Sequence, residues 1–251
     1  MHTTVTFIFF IYGLVFGSFF NVVGLRVPNG TLFAQTRSYC DTCQRTLTWK
    51  ELIPVWSFLR QRGRCKKCKE KISLLYPIME LATGLLATIT FYQYGWSEQT
   101  FLGLLLIALI IPITVSDIAY RKIPNKLLLF FTPLFILLRI LYPQPSFWIS
   151  LLGASLAFGL VFVIILLSNG GMGAGDLKYF TLLGFIFGPV LFLLLFFVAT
   201  LYGAVTGMLI MKLKSGNRKM TIPFAPYIGL AALTIFYFGE TILQWYLSFF
   251  S

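Results

Sequence analysis

In this 251-residue chain, the segment most informative about the fold runs from Gln99 to Asp117 and reads QTFLGLLLIALIIPITVSD. It has no charged side chain before its last residue, and it is about as long as a helix must be to cross a hydrocarbon core of about 30 Å. The whole chain has the same character, because 58% of its residues are hydrophobic and 11% are charged. A soluble domain is about 25% charged. The composition therefore argues against a soluble enzyme and predicts an all-α, polytopic membrane protein.

The other apolar segments have similar lengths and predict further membrane-spanning helices, about eight in total. The first follows no basic segment and has no small-residue cleavage site, so it is interpreted as a retained span and not as a signal peptide. Gly188-Pro189 separates the sixth span from the seventh, and one long span over 177–199 would leave seven helices. The predicted spans are 5–25, 75–94, 99–116, 125–142, 147–168, 177–188, 189–211 and 223–249.

The positive charge of the chain predicts its orientation. The formal net charge is +12, from 20 Lys and Arg against 8 Asp and Glu. With the N-terminus outside and eight spans, all of these cations but one fall in cytoplasmic segments, and the exception is Arg139 near an outer end. Cytoplasmic loops collect Lys and Arg in this way, whereas seven spans would place the cations on both faces. The charge therefore reflects topology, and nucleic-acid binding is not expected.

Residues 26–74 form the one long loop, which is predicted to be a cytoplasmic insert between the first two spans. All four cysteines lie in it, as Cys40-Asp-Thr-Cys43 and Cys65-Lys-Lys-Cys68. Two C-x-x-C pairs at about this separation are typical of a tetrahedral zinc site, which is structural because four thiolates leave no open coordination position. Two disulfides or free thiols are the alternatives, and the reducing cytoplasmic side disfavours disulfides.

Two aspartates stand in an otherwise acid-poor membrane region. Asp117 ends the stretch quoted above, and Asp176 follows the glycines of Gly173-Ala-Gly175-Asp176. Ionisable residues in such positions are candidates for function. Two carboxylates at the same face of a membrane favour aspartyl proteolysis, with one ionised as the base and the other protonated as the acid. The structural alternatives are a helix-end acid beside Arg121 and Lys122 for Asp117, and a helix N-cap or first-turn residue for Asp176.

The ordered set of motifs is far more specific than any single one of them. With the cysteines and the two aspartates, it resembles the bacterial type IV prepilin peptidases, intramembrane aspartyl proteases of the Gly-x-Gly-Asp class, over nearly the whole chain. The further motifs are Gly17-Ser-Phe-Phe-Asn21-Val-Val-Gly-Leu-Arg26-Val-Pro28, Trp49-Lys-Glu-Leu-Ile-Pro54, Arg62-Gly63-Arg-Cys65, Tyr76-Pro77-Ile-Met-Glu80-Leu-Ala-Thr-Gly84, Ile123-Pro124-Asn125 and Ile222-Pro223-Phe224-Ala225-Pro226.

The resemblance implies an enzyme of the bacterial plasma membrane with two activities. It implies cleavage of the short basic leader of prepilins or pseudopilins after a Gly at the cytoplasmic face, with Asp117 and Asp176 as the catalytic dyad. It also implies N-methylation of the new N-terminal residue by S-adenosylmethionine. No residue is assigned to that cofactor, because the chain has no recognisable glycine-rich nucleotide loop. Leu75 and Ala225 depart from the family pattern of Arg and Gly, and neither departure touches the dyad chemistry.

The predicted organisation has three parts, a first span at 1–25, the zinc insert at 26–74 and a protease core at 75–251. Two functions of other classes remain as alternatives. One is a small transporter with the aspartates as ion ligands, for which acids at the membrane midplane would be more typical. The other is a non-enzymatic zinc-bearing membrane scaffold, in which neither aspartate would matter chemically.

Polar residues inside the first two spans are interpreted as structural. Glu80 is expected to bind a helix neighbour or a lysine of the insert, because an unpartnered acid in a span is costly. The alternative for Glu80 is a role in substrate or methyl-transfer chemistry near the cytoplasmic face. Ser18 and Asn21 are expected to form interhelical hydrogen bonds. Lys178, two residues after Asp176, is expected to extend toward the membrane interface.

Overall fold

The computed structural model describes residues 2–33, 37–40, 42–168, 171–213 and 222–249. Part of the predicted cytoplasmic loop from Lys212 to Lys219, together with Asp41 and Gly170, lies outside the described residues. The helices are α1 (His2–Arg26), α2 (Trp56–Arg60), α3 (Leu75–Tyr94), α4 (Glu98–Tyr120), α5 (Asn125–Leu141), α6 (Phe147–Leu167), α7 (Ala174–Leu213) and α8 (Ala225–Leu247).

The described residues are helical apart from loops, one short 3₁₀ helix and two isolated antiparallel β-bridges, Tyr39–Thr46 and Arg64–Lys71. Six helices, all except α2 and α5, are long and apolar enough to cross a membrane. The predicted all-α membrane fold is therefore confirmed. The predicted total of eight spans stays a prediction, because α7 counts once among the six and α5 has 17 residues.

The predicted break at Gly188-Pro189 coincides with a non-helical residue inside α7. Gly188 has φ 74° and ψ 176°, a backbone conformation that residues with a Cβ rarely adopt. The 40 residues of α7 would measure about 60 Å as one straight helix, twice the hydrocarbon thickness. A break at Gly188 divides that length into two segments, in the manner that the sequence predicts.

The chain forms two compact units, Met1–Ala119 and Tyr120–Ser251. In the first unit, α1 packs closely on α3 and α4 through glycines. A Cβ at Gly17 would lie 2.8 Å from the Cα of Glu80, and one at Gly24 would lie 2.6 Å from the carbonyl oxygen of Pro112. Small residues let membrane helices approach at backbone distance in this way. The three-part division predicted from the sequence remains an interpretation of the sequence.

In the second unit, α6, α7 and α8 pack around a core that includes the fully buried Tyr179, Phe180 and Phe192. The contact between α6 and α7 is backbone to backbone, because a Cβ at Gly153 would lie 2.2 Å from the carbonyl oxygen of Gly184. This close contact holds the first half of α7, at whose start Asp176 lies.

Arg139 of α5 is buried, which its expected position near an outer helix end does not predict. Its guanidinium donates to the carbonyl of Ile186 at 2.5 Å and to the carbonyl of Gln144. Ile186 lies two residues before Gly188, whose non-helical backbone interrupts the hydrogen bonds of α7. The cation therefore binds a carbonyl where the helical hydrogen bonds are interrupted.

Candidate metal centre and catalytic aspartates

The four cysteines of the insert converge on one point. The Sγ atoms of Cys40 and Cys68 are 3.7 Å apart, those of Cys43 and Cys65 are 4.0 Å apart, and all four lie within 4.8 Å of one another. Thiolates at about 2.3 Å from a zinc ion in a tetrahedron are separated by about 3.8 Å. A disulfide needs about 2.05 Å. The cluster therefore fits a four-thiolate metal site, and it does not fit two disulfides.

Both C-x-x-C pairs adopt the same backbone loop. The N–H of Cys40 donates to the carbonyl of Arg45, and the N–H of Gln44 donates back to the carbonyl of Cys40. The second pair repeats this pattern, with Cys65 bonded to Glu70 and Lys69 bonded to Cys65. Gln44 and Lys69 both have positive φ, 52° and 62°. The repeated loop turns both thiols of each pair to one side, as chelation of a single ion requires.

The thiols have strongly perturbed acidities. Backbone N–H groups of Cys68 and Lys67 donate to the sulfur of Cys65 and lower the pKa of that thiol to about 6. The N–H of Glu70 acts in the same direction on Cys68, yet burial and the neighbouring thiols raise its pKa to about 11. A second thiolate is disfavoured beside the first unless a cation lies between them. The cluster is thus suited to a divalent metal ion that binds four thiolates.

Glu51 braces the two cysteine loops and was not singled out by the sequence analysis. Its carboxylate is almost fully buried and accepts two hydrogen bonds from Arg45, at 2.7 and 3.1 Å, while Lys66 lies 3.8 Å away. The hydroxyl and the N–H of Thr48 also donate to it, at 2.9 and 3.0 Å. The hydrogen bonds from Arg45 hold the pKa of Glu51 at about 2, well below its usual range. This carboxylate links Arg45 beside the first loop with Lys66 in the second.

Glu80 connects the insert to the membrane helices. The N–H of Val55 donates to its Oε2 at 2.7 Å, and the hydroxyl of Ser18 on α1 also bonds to the carboxylate. The Nδ2 of Asn21 donates to the carbonyl of Tyr76 at 3.1 Å, from α1 to α3. These contacts support the structural interpretation of Glu80, with the insert backbone as its partner. They also support Asn21 as an interhelical hydrogen bonder.

Asp117 lies in the last turn of α4 and is 6% exposed. All residues from Leu109 to Asp117 are buried, whereas the last three residues of α4, 118–120, are exposed. The helix continues to Tyr120, four residues beyond the predicted span 99–116, because the helical hydrogen bonds do not stop at the first charged residue. Asp117 is therefore a buried acid within the last turn of a helix and does not itself end that helix.

Asp176 lies in the first turn of α7, where its carboxylate accepts a hydrogen bond from the N–H of Gly173 at 3.1 Å. A Cβ at Gly173 would lie 3.2 Å from that carboxylate oxygen. The structural alternative considered for Asp176, a first-turn residue, thus describes its backbone position. It does not exclude catalysis, because a carboxylate held at a helix start is also a fixed and stabilised negative charge.

The start of α7 packs on the segment that follows Asp117 in the chain. A Cβ at Gly175 would lie 3.0 Å from the Cβ of Ile123, so only glycine permits this approach without a shift. The Nζ of Lys178 donates to Oδ1 of Asn125 at 3.0 Å, which gives this lysine a partner in addition to the expected interface position. The two motifs therefore touch at Ile123-Pro124-Asn125.

Comparison with known proteins identifies the family. Residues 11–94 match the bacterial peptidase A24 N-terminal domain, and residues 104–208 match the type IV leader peptidase family. The chain belongs to the type IV leader peptidase family. No solved structure matches it significantly.

Relatives of similar length support the same family. A prepilin leader peptidase/N-methyltransferase of Bacillus subtilis is 37% identical over 240 residues, which covers 96% of this chain and 97% of the relative. Proteins of the same name from Neisseria gonorrhoeae and Aeromonas salmonicida are 30% identical, over 95% of this chain and more than nine-tenths of each relative. The predicted enzyme class is confirmed, and the family favours it over the transporter and scaffold alternatives.

Proposed function

We propose that the chain cleaves the basic leader of prepilins or pseudopilins after a Gly at the cytoplasmic face of a bacterial plasma membrane, with Asp117 and Asp176 as its catalytic dyad. The observation on which this proposal mainly rests is that both aspartates lie within the segment that matches the type IV leader peptidase family, Asp117 in the last turn of α4 and Asp176 in the first turn of α7. The distribution of Lys and Arg supports the cytoplasmic side for both of them. The substrate class follows from the names of the relatives.

The dyad would work by general acid–base catalysis on water. The ionised carboxylate takes a proton from water as the oxygen attacks the scissile carbonyl, while the protonated carboxyl donates a hydrogen bond to the carbonyl oxygen. Collapse of the tetrahedral intermediate then breaks the C–N bond, and the leaving amine takes up the proton that the base had accepted from water, which regenerates the ionised carboxylate. The N–H of Gly173 and the start of α7 stabilise negative charge on Asp176. This environment suits Asp176 to the role of the base.

Chain connectivity supports a joint role for the two aspartates. Asp117 precedes Ile123 by six residues, which limits the distance between their Cα atoms to about 20 Å even in an extended chain. Ile123 is in van der Waals contact range of Gly175, next to Asp176. A Cβ at Gly175 would force Ile123 to shift by a few tenths of an ångström, which gives a physical reason for the second glycine of the Gly-x-Gly-Asp pattern in this chain.

We assign the metal of the insert as a structural Zn²⁺ held by Cys40, Cys43, Cys65 and Cys68. Four protein thiolates satisfy the tetrahedral preference of zinc and leave no position for a reacting ligand. The insert would then brace the loop that receives the leader or the methyl donor. The second activity, N-methylation of the new N-terminus with S-adenosylmethionine, is proposed from the names of the relatives.

Cleavage of a prepilin-type peptide with a basic leader and a Gly-Phe junction tests the dyad. The detergent-purified chain is compared with Asp117→Asn and Asp176→Asn, and Glu98→Gln at the other end of α4 serves as the acid-to-amide control. We expect each Asp variant to lose about 10²–10⁴-fold in cleavage rate, the usual contribution of a proton-transferring group. The Glu98→Gln variant should cleave like the unmodified chain.

Mass spectrometry of the product N-terminus distinguishes the two activities. A product heavier by one CH₂ group, formed only when S-adenosylmethionine is supplied, would demonstrate methylation. Cleavage by both Asp variants at the normal rate would overturn the dyad. Failure of the unmodified chain on several pilin-like leaders would overturn the substrate class.

A further inference from the structure

The insert exposes an apolar edge, which we define as Trp49, Leu52, Ile53, Trp56 and Leu59. Trp49 is 71% exposed, Trp56 59% and Leu59 63%, in a segment whose other exposed residues are largely charged. The edge is built from the 3₁₀ helix Trp49–Glu51 and from α2, which contact each other. Large apolar side chains gathered on one part of a small polar module indicate a surface that meets another apolar phase.

The backbone of this edge is fixed at the depth of a membrane helix. Val55 donates its N–H to Glu80, which lies five residues, or about 7.5 Å, into α3. The 20 residues of α3 measure about 30 Å, the thickness of the hydrocarbon core, so its first turns lie at the boundary of that core. Ile53 and Trp56 flank Val55 closely in the chain. They are therefore held at the level where headgroups meet acyl chains.

The backbone at Val55 is strained, which indicates that the surrounding fold holds Val55 in this position. Val55 has φ 60° and ψ −51°, and the N–H of Trp56 donates to the carbonyl of Pro54 at 2.5 Å across it. This is a γ-turn with positive φ, a rare and strained conformation for a β-branched residue. Strain of this kind persists only where the surroundings over-determine it. The short hydrogen bond from Val55 to Glu80 is such a determinant.

The positive charge around the edge favours an anionic lipid surface over a basic substrate leader as the binding partner. Residues 26–74 contain 11 Lys and Arg against three acids, and two of these cations, Lys50 and Arg60, belong to the edge segment itself. Four thiolates around a divalent ion add about two negative charges, so the insert stays cationic. Anionic headgroups attract such a surface, whereas the leader of the proposed substrate is itself basic. Trp side chains are also enriched at membrane interfaces.

We propose that the apolar edge of the insert inserts into the interface of the bilayer and binds an anionic phospholipid surface. The zinc module then lies against the leaflet from which α1 and α3 emerge, with Lys50 and Arg60 among the headgroups. Docking to lipid does not require the aspartyl dyad, so this proposal and the proposed function can fail independently.

Depth-dependent quenching of Trp56 tests the proposal. The full chain, with the other four tryptophans replaced by Phe, is reconstituted in phosphatidylcholine–phosphatidylglycerol vesicles with bromines at carbons 6,7 or 11,12 of the acyl chains. Side chains of interfacial segments lie about 5–10 Å into the headgroup–acyl boundary. We therefore expect quenching of Trp56 by the shallow bromines to be at least about twofold stronger than by the deep ones, and we expect shielding from iodide in the aqueous phase.

Two controls address folding and position. The difference in bromine quenching between the unmodified chain and Trp56→Phe gives the quenching of Trp56 with the other native tryptophans present. Metal content is measured for every variant as a check on the fold of the insert. A tryptophan introduced by Lys67→Trp, in the exposed second cysteine loop, should be reached by iodide and not by bromines. Equal bromine quenching at both positions would overturn the assignment to this edge.

Changes in the lipid composition and addition of a substrate peptide identify what binds to the apolar edge. Removal of phosphatidylglycerol should weaken the bromine quenching of Trp56, and Lys50→Gln with Arg60→Gln should weaken it in the same direction. Access of iodide to Trp56 in anionic vesicles, without bromine quenching, would overturn the proposal. Relief of bromine quenching by a prepilin-type peptide would also overturn it, and would assign the edge to the substrate.

Discussion

The metal site and the aspartate pair differ in how far apart in the chain their members lie. All four cysteines fall between Cys40 and Cys68, in one compact unit, and their loops are formed by local hydrogen bonds. Asp117 and Asp176 are separated by 59 positions, and they belong to different compact units. A site built from local loops can be predicted from the spacing of its residues in the sequence. A site built from distant helix ends depends on the packing of every helix between its members.

This comparison predicts that loss of the metal damages the insert and spares the membrane helices. Cys65→Ser should abolish stoichiometric zinc binding, because it removes one of the four ligands of a tetrahedral thiolate site. The insert should then unfold, because metal binding contributes about 10–16 kcal/mol to the folding of small zinc domains. Limited proteolysis should then cut within 37–71, while the helices stay protected in detergent. Zinc-free protein with an intact insert, full cleavage and full methylation would refute the bracing role.

Packing of α6 on α7 should matter more to the second unit than any surface residue. Gly153→Ala places a methyl group 2.2 Å from a backbone oxygen of α7, whereas Gly159→Ala on the same helix meets nothing within 4 Å. Overpacking of this kind costs about 1–3 kcal/mol, and Gly159→Ala should be neutral or slightly stabilising. Thermal unfolding in detergent measures both. Equal midpoints for the two variants would contradict the backbone contact.

The brace between the cysteine loops should contribute less than the metal itself. Glu51→Gln leaves Arg45 without its charged partner and should destabilise the insert by about 1–3 kcal/mol. Glu70→Gln, at an exposed position of the same module, is the control. The rate at which a chelator removes zinc reports the difference. We expect faster removal of zinc from Glu51→Gln only. Equal rates for both variants would mean that the ion pair between Glu51 and Arg45 does not help to retain the metal.

The smallest effect is the pH dependence of that brace. The folded pKa of Glu51, about 2, lies below the ordinary value for Glu of about 4.3. A depressed pKa adds stability that is fully present above the unfolded pKa and is lost as pH falls toward the folded one. The difference in insert stability between the unmodified chain and Glu51→Gln should therefore be constant from pH 5 to 8 and shrink below about pH 4.

Acid titration of both proteins in parallel checks this window. Protonation of the cysteine thiolates affects the two proteins alike, so the difference between them isolates the contribution of Glu51. A difference that grows as the pH falls would have the opposite sign and would exclude the ion pair as its cause.

Much of the helix pattern could be predicted from hydropathy. The predicted span 75–94 has the same bounds as α3, and 125–142 and 147–168 each differ from α5 and α6 by one residue. The largest differences in these bounds lie at polar helix ends, where α4 runs four residues past 116 and α1 and α7 each begin three residues before the predicted spans at 5 and 177. Hydropathy marks where apolar side chains stop, but a helix continues as long as its backbone hydrogen bonds can form.

Glu51, Val55 and Arg139 show what spacing could not predict. Nothing in the sequence near Glu51 indicates that Arg45 and Lys66 would meet it, although Thr48 and Glu51 have the spacing of a capping box. The strained turn at Val55 depends on an acid 25 residues later. Arg139 binds a carbonyl 47 residues away, at a helix break that the sequence placed correctly.

Composition, charge and motif spacing alone predict the membrane class, the orientation, four cysteines as candidate metal ligands and the two candidate aspartates. Composition, charge distribution and short motif spacing are local properties, and water, lipid and metal ions select on them directly. The folded structure alone reveals the convergence of the four thiols, the pairing of Glu51 with Arg45 and the hydrogen bond from Val55 to Glu80. Each of these is a contact between distant parts of the chain, and such contacts form only when helix packing satisfies buried polar groups that have no water to bind.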